Sequence, residues 1–414
     1  MALLREEEFL KERFRRFYAS NEIKSIPHVE MREFGIGAFG KKIAKRHISF
    51  SSNEELNFFL RSEVPFFISC SPAYYKDPAA RPMESKGLIG SDLIYEFDVS
   101  DVDSDCKQDH DFWMCENCGK TYGAATESCS SCGGKLAQFK FPCEKCIEET
   151  KRQTFRLLNI LNDELSFGSI SVNFSGNAGY HVHVRDVRIK NFSQDARLAI
   201  VDYLTGEGFS FEKSGFNFEN LLCPKINEAT GLRKRVLDRM IGFILEQNAD
   251  WLFQYGCISL STSQKRSGKM LVGHIVQNRE KLVSQIQKGL LPSSKSESVA
   301  ASFWKSLAEM ALRMESLPID RQTSADIYKI VRVPDTLHGS TGFIAKTISI
   351  DYLRDFNPFD HALAFSDDQI KVFISKAPEF KIKGAKFGPF EKEEVELPEN
   401  AAVYLIAKGV GKIV

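Results

Sequence analysis

Leu93-Ile94-Tyr95-Glu96-Phe97-Asp98 is an apolar run that closes on two carboxylates. Read as a β-strand, it turns successive side chains to opposite faces, so Glu96 and Asp98 share one face while Phe97 points away. Two carboxylates side by side repel each other unless a cation lies between them. Proteins hold Mg²⁺ or Mn²⁺ against phosphates in this way. The pair alone leaves a second reading open, a sheet edge with solvated acids.

The chain runs from this strand straight into a cysteine-rich block. Seven of the 10 cysteines fall between Cys106 and Cys146, which points to metal rather than disulfides. Cys115-x₂-Cys118 and Cys129-x₂-Cys132 are paired knuckles, with Gly119, Gly133 and Gly134 just after them. That spacing lets four thiolates converge tetrahedrally on one Zn²⁺, and glycine allows the tight turn after each pair. Cys106, Cys143, Cys146 and the nearby His110 bring the ligands to two closed sites. The partition stays open in the sequence, because Cys143 and Cys146 could instead pair with Cys115 and Cys118. Closed four-ligand zinc has no open position for chemistry, so both sites read as structural. Cys70, Cys223 and Cys257 are isolated and read as buried thiols.

The 414 residues, 43% hydrophobic and 27% charged, describe an ordinary globular protein of one elaborate domain or two. Net charge is zero, so any nucleic-acid binding has to come from a local groove rather than an overall basic field. No run of about 18 apolar residues occurs, and the start Met-Ala-Leu-Leu-Arg-Glu-Glu-Glu lacks a signal peptide's order. An intracellular protein without membrane contact is expected.

Phe9, Leu10, Phe14 and Phe17 predict an amphipathic first helix over residues 5–18, and Ser52 opens a second through Leu60. Strands are predicted at Pro65–Cys70 and Asp92–Asp98, and a helix at Glu148–Leu165. Ser169–Phe174 and Tyr180–Val184 read as a hairpin. Residues 192–317 turn helical and more basic, broken by a Ser-rich stretch at 292–298, and read as a helical subdomain. Strand signals return at Ile327–Val333, Ala345–Ile350 and Ala401–Ala407. The fold class is α/β or α+β: mixed β-sheets flanked by helices, with a zinc-binding insertion and an inserted helical lobe.

Two further segments carry chemistry. Ser175-Gly176-Asn177-Ala178-Gly179-Tyr180-His181 is a short turn whose backbone N–H groups and serine hydroxyl suit a phosphate. His181 opens the next strand, with His183 and Arg185 alternating onto the same face. Downstream, Asp326-Ile327-Tyr328-Lys329-Ile330-Val331-Arg332 leads into Thr336-Leu337-His338-Gly339, an acid, an arginine and a His-Gly turn in order.

Together these segments resemble the small catalytic subunit of archaeal and eukaryotic-type DNA primase, along nearly the whole chain. The resemblance rests on Phe14-Arg15-Arg16-Phe17-Tyr18, Arg32-Glu33-Phe34, the acidic strand, the cysteine block and Ser175-Gly-x-x-Gly-x-His181. It continues through Arg332…His338-Gly339, Phe356-Asn357-Pro358-Phe359-Asp360 and an apolar C-terminal segment.

The resemblance implies a catalytic core over 1–191 and 318–414, with a zinc-binding insertion at about 106–146 and a helical subdomain at 192–317. It implies a nucleotidyltransferase that makes RNA, and possibly DNA, primers on single-stranded DNA for replication. Glu96, Asp98 and Asp326 match three carboxylates that bind two Mg²⁺ or Mn²⁺ ions. Ser175, Gly176, Gly179, His181, Arg332 and His338 match the groups around the nucleotide's phosphates, and Arg32 an arginine near the nucleotide. Cys106, His110, Cys143 and Cys146 match the family's zinc knuckle. A large iron–sulfur subunit is the implied partner, alongside template, primer and nucleoside triphosphates. The location implied is cytoplasmic, at the nucleoid, in an archaeon and nuclear in a eukaryote. The chain departs from the family in two places. Glu96 stands where the family has aspartate, with Asp101 able to assist, and the Cys115–Cys132 ribbon looks like an insertion. An end-joining primase-polymerase and a non-catalytic zinc-ribbon nucleic-acid binder are the alternatives.

Overall fold

Strand pairing in the first half of the chain follows from alternation of apolar and functional side chains. The computed structural model describes residues 2–23, 26–102 and 104–414. The described chain forms two compact units, one of the residues up to Arg197 with Gln322–Val414, the other Leu198–Arg321.

The first unit is built on two four-stranded sheets. One runs Val331–Arg332, Phe67–Cys70, Phe34–Ala38, Lys41–Ile48 in spatial order. The other runs Thr347–Ile348, Ile170–Phe174, Gly179–Val184, Leu93–Asp98, all antiparallel. The acidic strand therefore lies at this sheet's edge, against the strand that carries His181. Apolar partners of the alternation, Tyr95, Phe97, Val172, Phe174, Tyr180 and Val182, are buried, which fixes the register because a one-residue slip would turn every side chain over. The helix Glu144–Asn159 buries Ile147, Leu157 and Leu158 and packs against both the acidic and the histidine strands. A three-stranded sheet of Phe390–Pro398, Gln369–Ala377 and Gly411–Ile413 follows near the end.

The second unit is helical. Helices Gly231–Glu246, Ala249–Gly256, Lys265–Gln277, Arg279–Gln287 and Glu297–Glu315 enclose one apolar core that includes Phe303, Trp304 and Leu307. The Trp304 indole N–H donates to the Pro292 carbonyl at 2.8 Å, so the one polar atom of that ring is satisfied. No helix among the described residues is long and apolar enough to cross a membrane.

The architecture is α+β with a cysteine-rich insertion. Several elements differ from the sequence expectation. Ala401–Ala407, predicted as a strand, is a helix, Glu399–Ala407, with Glu399 to Ile406 all buried. A short continuous apolar run fits a buried strand and a buried helix equally, and three alanines favour the helix. The strands expected at Ile327–Val333 and Ala345–Ile350 shrink to Val331–Arg332 and Thr347–Ile348. The helix expected over Glu148–Leu165 begins earlier, at Glu144, and its α-helical part ends at Asn159.

Candidate active site

The second sheet sets the geometry of the site through its register. His181 pairs with Glu96, Gly179 with Asp98 and His183 with Ile94. The pairing of Gly179 with Asp98 needs the missing side chain. A Cβ at Gly179 would come within 1.9 Å of the Phe97 carbonyl oxygen.

Asp98 caps the short turn Val99–Asp101. Its Oδ1 accepts from the Ser100 N–H and Oγ, both at 2.9 Å, while the Asp101 carboxylate takes the Asp98 N–H at 3.0 Å. Asp101 is thus engaged in a reciprocal cap beside Asp98. The Glu96 carboxylate is 3.2 Å from the Lys329 ammonium, which also donates to the Ile94 carbonyl at 3.1 Å. Sequence reasoning passed over Lys329; its signal was a lone charge inside the apolar run Ile327–Val331.

The Ser175 turn is held by its own hydroxyl, which accepts from the backbone N–H groups of Asn177 at 3.3 Å and Gly179 at 3.2 Å. Its O–H remains to donate outward. Gly176 adopts φ +81°, and a Cβ there would lie 2.8 Å from the Cβ of His338. That close approach, with the Thr341 hydroxyl donating to the Gly176 carbonyl at 2.5 Å, docks the His338 turn on the Ser175 turn.

Arg332 and His338 meet over Phe67. The Arg332 guanidinium lies 4.8 Å from the ring centroid, and the His338 ring stands edge-on to it at 5.3 Å. Arg332 is buried, and among the described residues it donates only a long 3.4 Å bond to the Ile68 carbonyl and its Nε has no hydrogen-bond partner. Burial brings its pKa down to about 10, which leaves it a cation at neutral pH. A buried cation with few partners is poised for an anion. His338 accepts the Ser340 N–H on Nδ1 at 3.2 Å, so its neutral tautomer carries the proton on Nε2. Burial and the Arg332 charge hold its pKa well below the usual histidine value. Burial also lowers His181, with Glu96 pulling the other way and Lys329 and Arg332 adding to the depression. The His181 Nδ1 is buried without a hydrogen-bond partner among the described residues.

Arg32, His183 and Asp326 are engaged by near neighbours. All five Arg32 donors are spent on the Pro27, Ser71 and Pro72 carbonyls, the Tyr74 hydroxyl and Asp92, which leaves none for a nucleotide. His183 donates its Nε2–H to the Asn173 side-chain oxygen at 2.7 Å inside the sheet. Asp326 accepts the Tyr328 N–H at 2.8 Å. Among the described residues its carboxylate is not gathered with Glu96 and Asp98 into one set of ligand atoms within 4.8 Å.

The cysteine block forms two four-ligand clusters, Cys106-His110-Cys143-Cys146 and Cys115-Cys118-Cys129-Cys132, each with ligand atoms within 4.8 Å of one another. Tetrahedral ligands about 2.3 Å from zinc lie roughly 3.7 Å apart. Sulfur separations of 3.3 to 3.9 Å in the first cluster and 3.5 Å in the second fit that ion. In the first cluster His110 offers Nε2, 3.3 Å from Cys146 Sγ, while its Nδ1 is held by Asp111 at 2.8 Å. That outer carboxylate fixes the ring as metal-bound histidines require. Gly119 and Gly133, both in left-handed backbone, close the two ribbon knuckles. Glu96 and Asp98 offer oxygen ligands on a partly exposed face, with Asp98 Oδ2 outside the cap, a donor set suited to Mg²⁺ or Mn²⁺.

Comparison with known proteins gives the family of the chain. The chain is similar to the DNA primase small subunit PriS of Methanothrix thermoacetophila, 29% identical with 98% of each chain covered. It is as similar to that of Nitrosopumilus maritimus, 29% identical over 98% of each, and to that of Archaeoglobus fulgidus, 28% identical over 97% of each. The family model for the DNA primase small subunit matches residues 141–350, half of the chain, from Cys143 and Cys146 through the Ser175 and His338 turns; the chain belongs to the DNA primase small subunit family.

Proposed function

We propose that this chain synthesises primers on a single-stranded DNA template by metal-dependent nucleotidyl transfer from nucleoside triphosphates, as the catalytic partner of a primase large subunit of iron–sulfur type. The observation that carries the reading is the pairing of Glu96 with His181 across adjacent strands, with Asp98 beside them. Family membership supports primer synthesis itself.

Phosphoryl transfer asks the protein for positioning and for neutralised charge rather than covalent help. Glu96 and Asp98 would hold the divalent ions, with Asp326 the third carboxylate proposed. When bound, such ions supply Lewis acidity at the attacking hydroxyl and the leaving pyrophosphate. The residues of this chain do the rest. Ser175 Oγ–H and the turn's backbone donate to phosphate oxygens, and His338 donates from Nε2. Arg332, desolvated and nearly unpartnered, neutralises the triphosphate. Lys329 balances the charge of Glu96. The two zinc sites are structural in this reading.

The experiment is primer synthesis on single-stranded DNA with labelled ribo- and deoxyribonucleotides, with and without Mn²⁺, with the large subunit present. Metal-dependent oligomers from the wild type and none from Asp98→Asn support the assignment. Products that ignore both metal and substitution refute it.

A further inference from the structure

Asp98 also faces a cleft of about 570 Å³ that the motifs leave unassigned. Four lysines line it, Lys42, Lys107, Lys140 and Lys408, against two carboxylates, Asp98 and Asp111. Asn177 and Ala178 of the Ser175 turn form part of its wall, so the cleft continues the phosphate turn on a second side.

Lys408, just past the buried helix Glu399–Ala407, is built into this wall. Its ammonium donates to the Lys140 carbonyl at 2.9 Å and to Asn177 Oδ1 at 3.4 Å. It also lies over the rings of Phe141 and Tyr404, at 5.7 and 5.4 Å from their centroids. An ammonium has three donors, so one remains for a ligand in the cleft. Burial lowers its pKa to about 8, with Asp111 and Asp98 pulling it back up and Lys140 and Lys42 adding to the fall, and it stays mostly protonated at neutral pH. Among the described residues no hydrogen bond or ion pair engages the Lys42 or Lys140 ammonium. Like charges gathered around one cleft repel each other, and an anion relieves that repulsion. A lining this polar does not suit an apolar ligand.

We propose that Lys408, Lys140 and Lys42 form an anion subsite beside Asp98 that takes nucleotide phosphates. For the nature of the ligand it rests on the polymerase reading above. Two sources share this chemistry, the tail of the incoming triphosphate and the phosphates of the strand being extended. In either case Lys408 and Lys140 are positioning residues, outside the bond-making centre.

The test is calorimetric titration with inorganic tripolyphosphate in buffer free of divalent metal, for wild type, Lys408→Ala, Lys408→Gln, Lys140→Ala and Asp98→Asn. Losing one charge-assisted contact weakens binding about tenfold in the lysine variants. Asp98→Asn, inactive in synthesis on the polymerase reading, keeps or tightens tripolyphosphate binding because it removes a negative charge from the cleft. Failure of the subsite and failure of the catalytic assignment are therefore read separately. Lys140 is exposed and its replacement does not threaten the core, so Lys140→Ala decides the matter if either Lys408 variant unfolds. Wild-type affinity in the folded lysine variants overturns the proposal. A rise in nucleotide KM with an unchanged Kd for primed template supports it and assigns the cleft to the incoming triphosphate. The reverse pattern supports it and assigns the cleft to the extended strand.

Discussion

Glu96 and His181 stand directly opposite one another in the register of two antiparallel strands, and Asp98 stands opposite Gly179. Side chains opposed in this way lie about 5 Å apart at Cβ. A group suited to phosphate and a group suited to a divalent cation are thus fixed together by backbone hydrogen bonds. The sheet, rather than a loop, sets their spacing.

That placement makes Asp98 the most informative substitution. Asparagine keeps the cap on the Val99–Asp101 turn, because its side-chain oxygen accepts the same N–H. Asp98→Asn is expected to shift Tm by no more than about 2 °C while primer synthesis falls about 100-fold or more. Glu96→Gln should fall similarly. Asp326→Asn, assayed beside them, tests the third carboxylate, and wild-type synthesis there would remove Asp326 from the centre.

The two cysteine clusters should separate on mutation. Cys146 is buried at the start of the helix Glu144–Asn159, which packs on both the acidic and histidine strands. Cys146→Ser is expected to release one zinc per chain, measured by elemental analysis, and to cost several kcal/mol, because metal binding is coupled to folding. Cys118 is exposed in the small ribbon of Phe112–Cys115, Thr121–Tyr122 and Leu136–Phe139. Cys118→Ser should release the other zinc with a smaller change in Tm. Equal losses from both variants would show that the clusters fold as one.

Much of this site was legible in residue types at fixed spacing. Glu96-x-Asp98, the Ser175 turn and the cysteine pairs are local patterns, and local patterns survive without coordinates. What the sequence could not show were partners far along the chain. Arg32 reads as a free cation until Tyr74 and Asp92 are seen around it. His183 shares the face of His181 in the strand pattern, and nothing there shows Asn173 on its ring. Lys408 lies 231 positions from Asn177, and no pattern links them. Ala401–Ala407 was misread for another reason: a uniformly buried run has no face, and periodicity then has nothing to report.

Acid should destabilise the fold through its buried histidines. Burial holds His183 and His338 well below the ordinary histidine value. As pH falls through about 6.5 the unfolded chain takes up protons that the native rings refuse. Native stability is then full above that pH and falls below it, by up to about 1.4 kcal/mol per pH unit for each ring. Denaturant melts between pH 7.5 and 5.5 would measure this, and His183→Asn should flatten the slope by one ring's share. A slope unchanged in that variant would remove His183 from the account.

The two glycines of the Ser175 turn should fail differently when each is replaced by alanine. Gly176 has φ +81°, and the new methyl would press on the His338 side chain at 2.8 Å. The left-handed backbone costs an alanine about 1 kcal/mol, and because the atom met is the His338 Cβ, which moves only with its backbone, the turn that carries His338 has to shift. Gly176→Ala is therefore expected to stay folded and to raise nucleotide KM about tenfold by shifting His338 from the phosphate contact proposed for it. Gly179 is the opposite case, since its methyl would sit 1.9 Å from the Phe97 carbonyl oxygen, a backbone atom with nowhere to go. Gly179→Ala has to separate the histidine strand from the acidic strand. It should cost about 3 kcal/mol or more and abolish synthesis. Primer-extension kinetics and thermal melts on both variants distinguish the outcomes. A folded and active Gly179→Ala would contradict the register on which the Glu96–His181 pairing depends.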